Sequence, residues 1–365
     1  MMRRVLLLPV VGTILLLIGA GGGSARPGEP MAAVAVFPVD NWSAGRIPAD
    51  AIRQAVVGRL TAEGIRVLDD EALAAFVTRH RVRYTSGIDA ATAELLRQET
   101  GAEGVVFASV ELSSSVAPPK VALFVRLVSI SASPVVVWAD DVGMAGDDSP
   151  GLYERGVVND YDTLLTRAMD RLGNSLVAFL KTGQDRTTPA RAAKFQPKFF
   201  YKALALAPGR TYAVAVLPFV NASGRRNAGE VLASLFIRHL SAAPGFRVAD
   251  TGVARRQLLD ARIIMDGGIS LSDAETVAAL LDADFVLGGR VLRYEDYDGP
   301  SGLAGVEFSA VLIERTSRKV VWSSDSYNEG RDGVVFFEWG ATRTAHAMAT
   351  QMVRRTTELM AGRGR

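Results

Sequence analysis

The pattern of apolar and polar positions runs through the same order twice along the chain. Each half begins with a short apolar run that ends at a proline, 34–37 in the first half and 214–217 in the second. Such a run predicts a buried strand followed by a loop. The stretches that follow, 49–60 and 228–240, carry apolar residues at helical spacing and predict amphipathic helices.

The rest of each half predicts a short strand and two helices, then three β-rich runs and a long closing helix. The β-rich runs lie at 104–112, 121–130 and 134–140, and again at 285–294, 306–314 and 319–324. The closing helices are expected at 161–180 and 340–360. Each half has helices early and three consecutive strands late. This order predicts the α/β fold class, with two tandem copies of a mixed-sheet α/β sandwich domain.

Several motifs recur with their order and spacing kept, which indicates a tandem duplication. Gly64–Asp69 matches Gly245–Asp250, and Val137–Trp138 matches Val321–Trp322. The predicted units are a first domain at 28–183, a linker at 184–209 and a second domain at 210–365. A copy of about 150 residues buries enough surface to fold alone, so each is expected to unfold independently. The alternative is that strands of the two copies pair edge to edge in one continuous sheet.

The predicted linker is rich in polar residues and proline, but it also carries a cluster of aromatic residues with lysines between them. The aromatic residues are Phe195, Phe199, Phe200 and Tyr201. One interpretation is that they pack the linker onto a domain. The other is that they form a docking segment for a partner or a membrane surface.

The first 25 residues have the pattern of a secretory signal. Two arginines precede an uncharged, mostly apolar stretch from Val5 to Gly23, and small residues follow up to Ala25. Cleavage after Ala25 is therefore expected, and the remaining chain is expected to be periplasmic. The alternative is an uncleaved anchor in the inner membrane, because roughly 20 apolar residues span a bilayer.

Composition narrows the classes of function. The 41 basic and 39 acidic residues nearly balance, so the chain carries no field that would favour a nucleic-acid partner. It contains no cysteine, which excludes disulfides, cysteine nucleophiles and a lipid-bearing cysteine. The three histidines, His80, His239 and His346, lie far apart in sequence, without the spacing of a zinc site. No cofactor, metal or catalytic residue is predicted, and 295–299 is interpreted as a hairpin turn.

One polar constellation occurs in both halves, directly after the proline and before the first helix. It consists of Asn41, Ser43 and Arg46 in the first half and of Asn221, Ser223 and Arg226 in the second. Asn and Ser at a helix start usually cap free N–H groups, which accounts for these two residue types. Capping does not require arginine, so the second interpretation is a binding loop for an anionic group.

Three strand-core motifs of the second half resemble those of a known superfamily. They are Val214–Asn221 with its Val-Ala-Val-Leu-Pro-Phe-Val-Asn sequence, Ala283–Val291 and Lys319–Trp322. With them the half resembles the TolB amino-terminal and curli-secretion (CsgG-like) superfamily of bacterial envelope domains. The first half resembles it through Phe37–Asn41 and Val137–Trp138. The resemblance covers nearly all of the chain after the leader and implies a non-catalytic envelope domain.

The leader and the resemblance together predict a non-enzymatic periplasmic adaptor or scaffold of a cell-envelope complex. An envelope protein is the expected partner; peripheral membrane association and the oligomeric state stay open. One alternative is an outer-membrane secretion-channel component of the curli-secretion type. The turns at 113–120 and 296–305 are evidence against a pore. A membrane hairpin needs strands of about 9 to 11 residues each, and these turns are too short to contain them. The other alternative is a periplasmic hydrolase, which would need a pocket with converging polar groups.

Overall fold

The computed structural model describes residues 31, 33–130, 133–148, 157–184, 194–264, 270–297, 303–332 and 341–363. The predicted leader, 1–25, lies outside the described residues, as do 298–299 of the predicted hairpin turn. Among the residues within these ranges, no helix has the length and apolar character needed to cross a membrane.

The first half contains the predicted helices and strands in the predicted order. Aspartates begin three of its helices: the carboxylates of Asp69, Asp89 and Asp160 each accept from backbone N–H groups of the first turn. The elements are β1 Ala33–Val36, β2 Asp40–Asn41, α1 Ala49–Ala62, β3 Arg66–Val67, α2 Asp70–Arg79, α3 Ala90–Thr100, β4 Gly104–Ser114, β5 Lys120–Ser129, β6 Val135–Ala145 and α4 Tyr161–Thr182.

The second half repeats this order after one additional strand. That strand, β7 Phe199–Lys202, lies in the stretch predicted to be linker. The other elements are β8 Tyr212–Val216, β9 Val220–Asn221, α5 Ala228–Ser241, β10 Phe246–Ala249, α6 Thr251–Asp260, α7 Leu271–Leu280, β11 Phe285–Glu295, β12 Gly305–Glu314, β13 Lys319–Glu329 and α8 Ala345–Met360. The mixed α/β fold class is confirmed.

All of these strands belong to one mixed sheet. Its order is β3-β1-β4-β5-β6-β10-β8-β11-β12-β13-β7, with β2 beside β4 and β9 beside β11. The order of the first five strands is repeated by β10-β8-β11-β12-β13, so the halves share one topology. They meet where β6 pairs with β10 in antiparallel orientation, Val136 opposite Val248. The sheet is therefore continuous across the halves, as in the alternative that the sequence left open; the duplication itself stays an interpretation.

Helix α5 explains how the two halves hold together. It contacts its own strands β10 and β11, the helix α8 and also β6 of the first half. Eleven of its residues are buried, whereas its counterpart α1 buries only Ile52, Val56 and Leu60. A helix that is apolar on most sides needs neighbours on most sides. Helix α5 is therefore a central element of the whole chain, packed on both halves.

Strand β7 lies at the far edge of the sheet. It pairs antiparallel with β13, Phe200 opposite Ser324, and its Phe200 ring stacks on the buried Trp322 with 5.2 Å between ring centroids. Phe195 is buried in the core. Part of the predicted linker thus packs on the second half, as the first interpretation of its aromatic residues expects. The outer side of β7 remains exposed.

Candidate functional site

The two predicted polar loops have the same internal geometry. The Asn41 side-chain carbonyl accepts from the backbone N–H and the hydroxyl of Ser43, at 3.0 and 2.7 Å. Asn221 and Ser223 form the same two bonds at the same distances. Neither pair caps a helix, because α1 and α5 begin at Pro48 and Asn227 without a side-chain cap. The capping interpretation is therefore wrong: the side chains close the loops on themselves, as in an Asx turn.

The two predicted arginines of these loops lie at the surface. Arg46 and Arg226 are exposed to solvent. The neighbouring Arg225 turns inward instead, where its guanidinium lies over the Tyr294 ring at 4.7 Å and pairs with Asp296 at 2.7 Å. It also donates to the Glu111 carbonyl of the first half. Arg225 thus joins the halves, and anion binding by Arg46 and Arg226 stays a prediction.

Between the halves lies a cluster of buried charged side chains, which we call the inter-half cluster. It consists of Glu111, Asp140 and Asp141 from the first half and of Arg238 and His346 from the second. The two ring nitrogens of His346 bond to different carboxylates, Nδ1 to Glu111 and Nε2 to Asp141 at 2.8 Å. All three side chains are at most 3% exposed. Because each ring nitrogen faces a carboxylate, the geometry favours the doubly protonated imidazolium.

Charge balance in this cluster follows from burial and pairing. Burial by itself would lower the pKa of His346, but the carboxylates of Glu111 and Asp141 outweigh it and raise the pKa to about 10. Burial would likewise raise the pKa of Asp141, and Arg238 and His346 outweigh it and hold that pKa well below its usual range. At the neighbouring His239, burial and then the Arg238 charge outweigh the attraction of Asp141 and lower the pKa to about 3. At neutral pH His346 is therefore charged and His239 neutral.

A glycine and a carboxylate position the start of helix α8 against the first half. Gly143 of β6 lies directly beneath the helix start, where an added Cβ would come within 2.8 Å of His346 Cδ2 and 3.1 Å of the Ala347 nitrogen. Asp296 accepts from the Ala345 N–H at 2.6 Å and so binds the N-terminal end of α8. Glycine in the strand and a carboxylate at the helix end thus place His346 between its two acids.

A second buried ion pair also joins the halves. Arg126 of β5 donates from Nε to Asp250 at 3.0 Å, and these side chains are 3% and 0% exposed. Asp250 also accepts from the backbone N–H groups of Ile88 and Gly252, at 2.8 and 2.9 Å. The Asp250 carboxylate therefore begins helix α6 and binds the first half at the same time.

A cavity of about 390 Å³ adjoins this ion pair between the two halves. Its lining combines apolar side chains such as Trp42 and Leu258 with polar groups of Tyr84 and Glu230. Arg255 lies over the Tyr84 ring at 4.5 Å. The size falls in the range of small-molecule sites. Among the described residues of the lining, Glu230 is the only one with a carboxylate, and serine and threonine hydroxyls are present without a histidine.

The face of the sheet that carries the inter-half cluster is buried in the first half and exposed in the second. Asp141 and Gly143 are the seventh and ninth residues of β6, and the same positions of β13 are Asp325 and Tyr327. Glu111 lies at a bulge of β4, and Leu292 at the matching bulge of β11. Asp325, Tyr327 and Leu292 are all exposed. We call the surface of β11–β13 the open face, defined by Arg290, Leu292, Ser309, Asp325 and Tyr327.

Sequence reasoning did not identify the inter-half cluster. His346 lies within a polar stretch of a helix and was expected only to pack or to face solvent. Its partner Glu111 is 235 residues away along the chain, and no local spacing connects the two. The single local signal is the adjacent pair Asp140–Asp141 in an otherwise apolar strand. Within the described ranges, no cluster of histidine, aspartate and glutamate is arranged to hold a metal ion.

Comparisons with known proteins return similar structures only. No family model matches the chain, and no curated protein matches it in sequence. A PelC dodecamer subunit from Paraburkholderia phytofirmans is 22% identical, with a TM-score of 0.30, over 43% of this chain and 92% of its own. Lipoprotein GNA1162 from Neisseria meningitidis is 16% identical, with a TM-score of 0.29, over 40% of this chain and 99% of its own. The LpoB C-terminal domain from Salmonella enterica is 15% identical, with a TM-score of 0.26, over 31% of this chain and 82% of its own.

Proposed function

We propose that the chain is a non-catalytic scaffold of the bacterial cell envelope that binds a protein partner through the open face of its second half. The leader and the superfamily resemblance support the envelope location. The observation that carries the proposal is the contrast between the halves: the face that is an interface in the first half is exposed in the second. Its exposed positions include Arg290 and Tyr327, and arginine and tyrosine are enriched in protein interfaces.

The side chains best suited to acid–base chemistry have a structural use instead. His346 is buried between two carboxylates, and Arg238 lies against Asp140 and Asp141 at 2.7 and 2.6 Å. A general base must reach a substrate proton directly or through one water. These buried groups bind one another across the halves, which supports a role in holding the scaffold together.

A second copy of this chain does not fit the open face in the way that the second half fits the first. The residue of α4 that matches His346, the second of its helix, is Asp162. Docked in the same manner, Asp162 would face Asp325, and two like charges would repel. Tyr327 also occupies the position that Gly143 leaves clear for the helix start. The partner is therefore a different protein, and we expect it to present a basic group to Asp325.

Site-specific photocrosslinking in the producing cell tests this proposal. A benzoylphenylalanine at Tyr327 should give one adduct of defined mass, and the same probe at Leu280, an exposed residue of α7, should not. Asp325→Arg should abolish the adduct, and the partner identified from it should bind the purified chain in the same Asp325-dependent way. Equal adducts from both positions, or none from Tyr327, would contradict the proposal.

The same cells separate the two alternatives. A channel component of the curli-secretion type should stay in the membrane fraction through a high-salt wash, as a heat-resistant ring, whereas a scaffold should be released by osmotic shock or by that wash. A hydrolase should lose activity when the cavity is altered, for example by Glu230→Gln, which leaves the open face intact. Crosslinking that is unaffected by Glu230→Gln supports the scaffold.

A further inference from the structure

The outer edge of the sheet carries an exposed aromatic strand. Phe199, Phe200 and Tyr201 of β7 are 66, 53 and 55% exposed, although aromatic side chains are usually buried. The pairing of β7 with β13 and the stacking of Phe200 on Trp322 hold these side chains in fixed positions. Three adjacent aromatic residues are therefore presented to solvent on a paired strand. This edge adjoins the open face, because Phe199 lies opposite Asp325 and the Lys198 Nζ lies 5.2 Å from the centre of the Tyr327 ring.

Basic residues surround this strand. Lys198 and Lys202 flank it directly, and the segment 194–202 contains no acidic residue. Lys202 donates to the Leu359 carbonyl at the C-terminal end of α8 at 2.7 Å, and it lies next to Gly362. The following residue, Arg363, adds a further positive charge at this edge. Together they form what we call the aromatic edge: Lys198, Phe199, Phe200, Tyr201, Lys202 and Arg363.

We propose that the aromatic edge binds the surface of a membrane that contains anionic lipids. Aromatic rings favour the boundary between headgroups and acyl chains, and lysine side chains reach from there to the anionic headgroups. Since neighbouring residues of a strand point to opposite sides, an edge-on approach brings both sides of β7 to the lipid. Asp325 lies opposite Phe199 in the next strand inward, so it is one strand further from the lipid.

The positive charge and the short length of β7 favour a lipid surface over a protein strand as the partner of the aromatic edge. An added strand needs a long free edge, and β7 has only four residues. Lysines on an edge strand disfavour pairing with another strand, while they favour an anionic surface. The proposal adds a membrane contact to the scaffold and does not depend on the open face or its partner.

Vesicle sedimentation of the full exported chain tests the proposal. The chain should bind vesicles that contain phosphatidylglycerol, bind phosphatidylcholine vesicles much more weakly, and dissociate as salt is raised. Phe199→Ser with Tyr201→Ser should weaken binding at least about tenfold, because their apolar area no longer enters the lipid. Lys198→Gln with Lys202→Gln should weaken it about 25-fold, at about fivefold for each lysine.

A matched control removes apolar side chains that are equally exposed elsewhere. Leu259 and Ile264 are 61 and 79% exposed, and Leu259→Ser with Ile264→Ser should leave binding unchanged. A site-specific readout is independent of the leader: the fluorescence of Tyr201→Trp should be quenched by brominated acyl chains, and that of Ile264→Trp should not. Equal binding to neutral vesicles, equal binding by the Phe199 and Tyr201 variant, or an unquenched tryptophan at 201 would overturn the proposal. Vesicle binding is measured without a protein partner, and crosslinking from Tyr327 is measured with the aromatic edge unaltered, so the two proposals can fail separately.

Discussion

Replacing His346 with glutamine should weaken the contact between the two halves. Glutamine is neutral, so Glu111 and Asp141 would lose the positive charge that lies between them. Breaking a buried ion pair on one side costs about 3–5 kcal/mol of unfolding free energy. The pKa shift gives a similar magnitude: from 6.5 to about 10, at 1.36 kcal/mol per unit, it corresponds to roughly 5 kcal/mol.

The pH dependence makes this prediction specific. His346 binds its proton more tightly in the folded chain, so its stabilising contribution is complete below pH 6.5 and is lost as the pH rises through about 10. Between pH 7 and pH 9 the wild-type chain should therefore lose about 2–3 kcal/mol of stability from this group. His346→Gln should lack that part of the alkaline loss.

Urea unfolding at pH 7 and pH 9 measures both effects, with His80→Gln as the control. His80 also pairs with a glutamate, Glu99 at 2.6 Å, but it lies near the surface of the first half. An ion pair near the surface contributes up to about 1 kcal/mol, so His80→Gln should change stability little. If His346→Gln were as stable as the wild type at pH 7 and lost the same stability by pH 9, the imidazolium would not hold the halves together.

Three further predictions concern the same contact and the polar loops. Arg126→Met should cost about 3–5 kcal/mol because it leaves the Asp250 carboxylate buried and unpaired, and adding Asp250→Leu should restore much of that loss in urea titrations. Gly143→Ala should lower stability by about 1–3 kcal/mol, since the new methyl group meets helix α8; no change would mean that the helix is less tightly seated. Arg46→Ala and Arg226→Ala should each alter stability by less than about 0.5 kcal/mol, and if the double variant binds the partner normally, the anion-binding hypothesis is excluded.

Sequence patterns predicted the elements well because those patterns are local. The apolar runs that end at proline became β1 and β8, and the long β-rich runs became the two meanders of β4–β6 and β11–β13. The repeated Asn–Ser constellation was found for the same reason, since its bonds join residues two positions apart. Its role was interpreted incorrectly because the loop, and not the helix, supplies the N–H group.

The junction between the halves could not be read from local patterns. Strands β6 and β10 meet through only two residue pairs, Val136 with Val248 and Val135 with Ala249. Such a contact leaves no periodic signal, and β-pairing depends strongly on what covers each face. One signal was present in the sequence: the stretch that became α5 is apolar around most of its circumference, whereas α1 is amphipathic. A helix with that pattern predicts two neighbouring layers, and the first half supplies the second one.

The direct test of the central claim, that both halves form one folding unit, is thermal unfolding of the whole chain beside its fragments 28–183 and 194–365, the second of which keeps β7. The first fragment lacks α5 and α8, so Glu111, Asp141 and the apolar face of β5 would be exposed. The second would expose Arg238, His346 and the free edge of β10. The structure predicts a single cooperative transition for the whole chain and fragments that aggregate or melt without cooperativity. Two soluble fragments that melt cooperatively at separate midpoints, both visible in the whole chain, would contradict it.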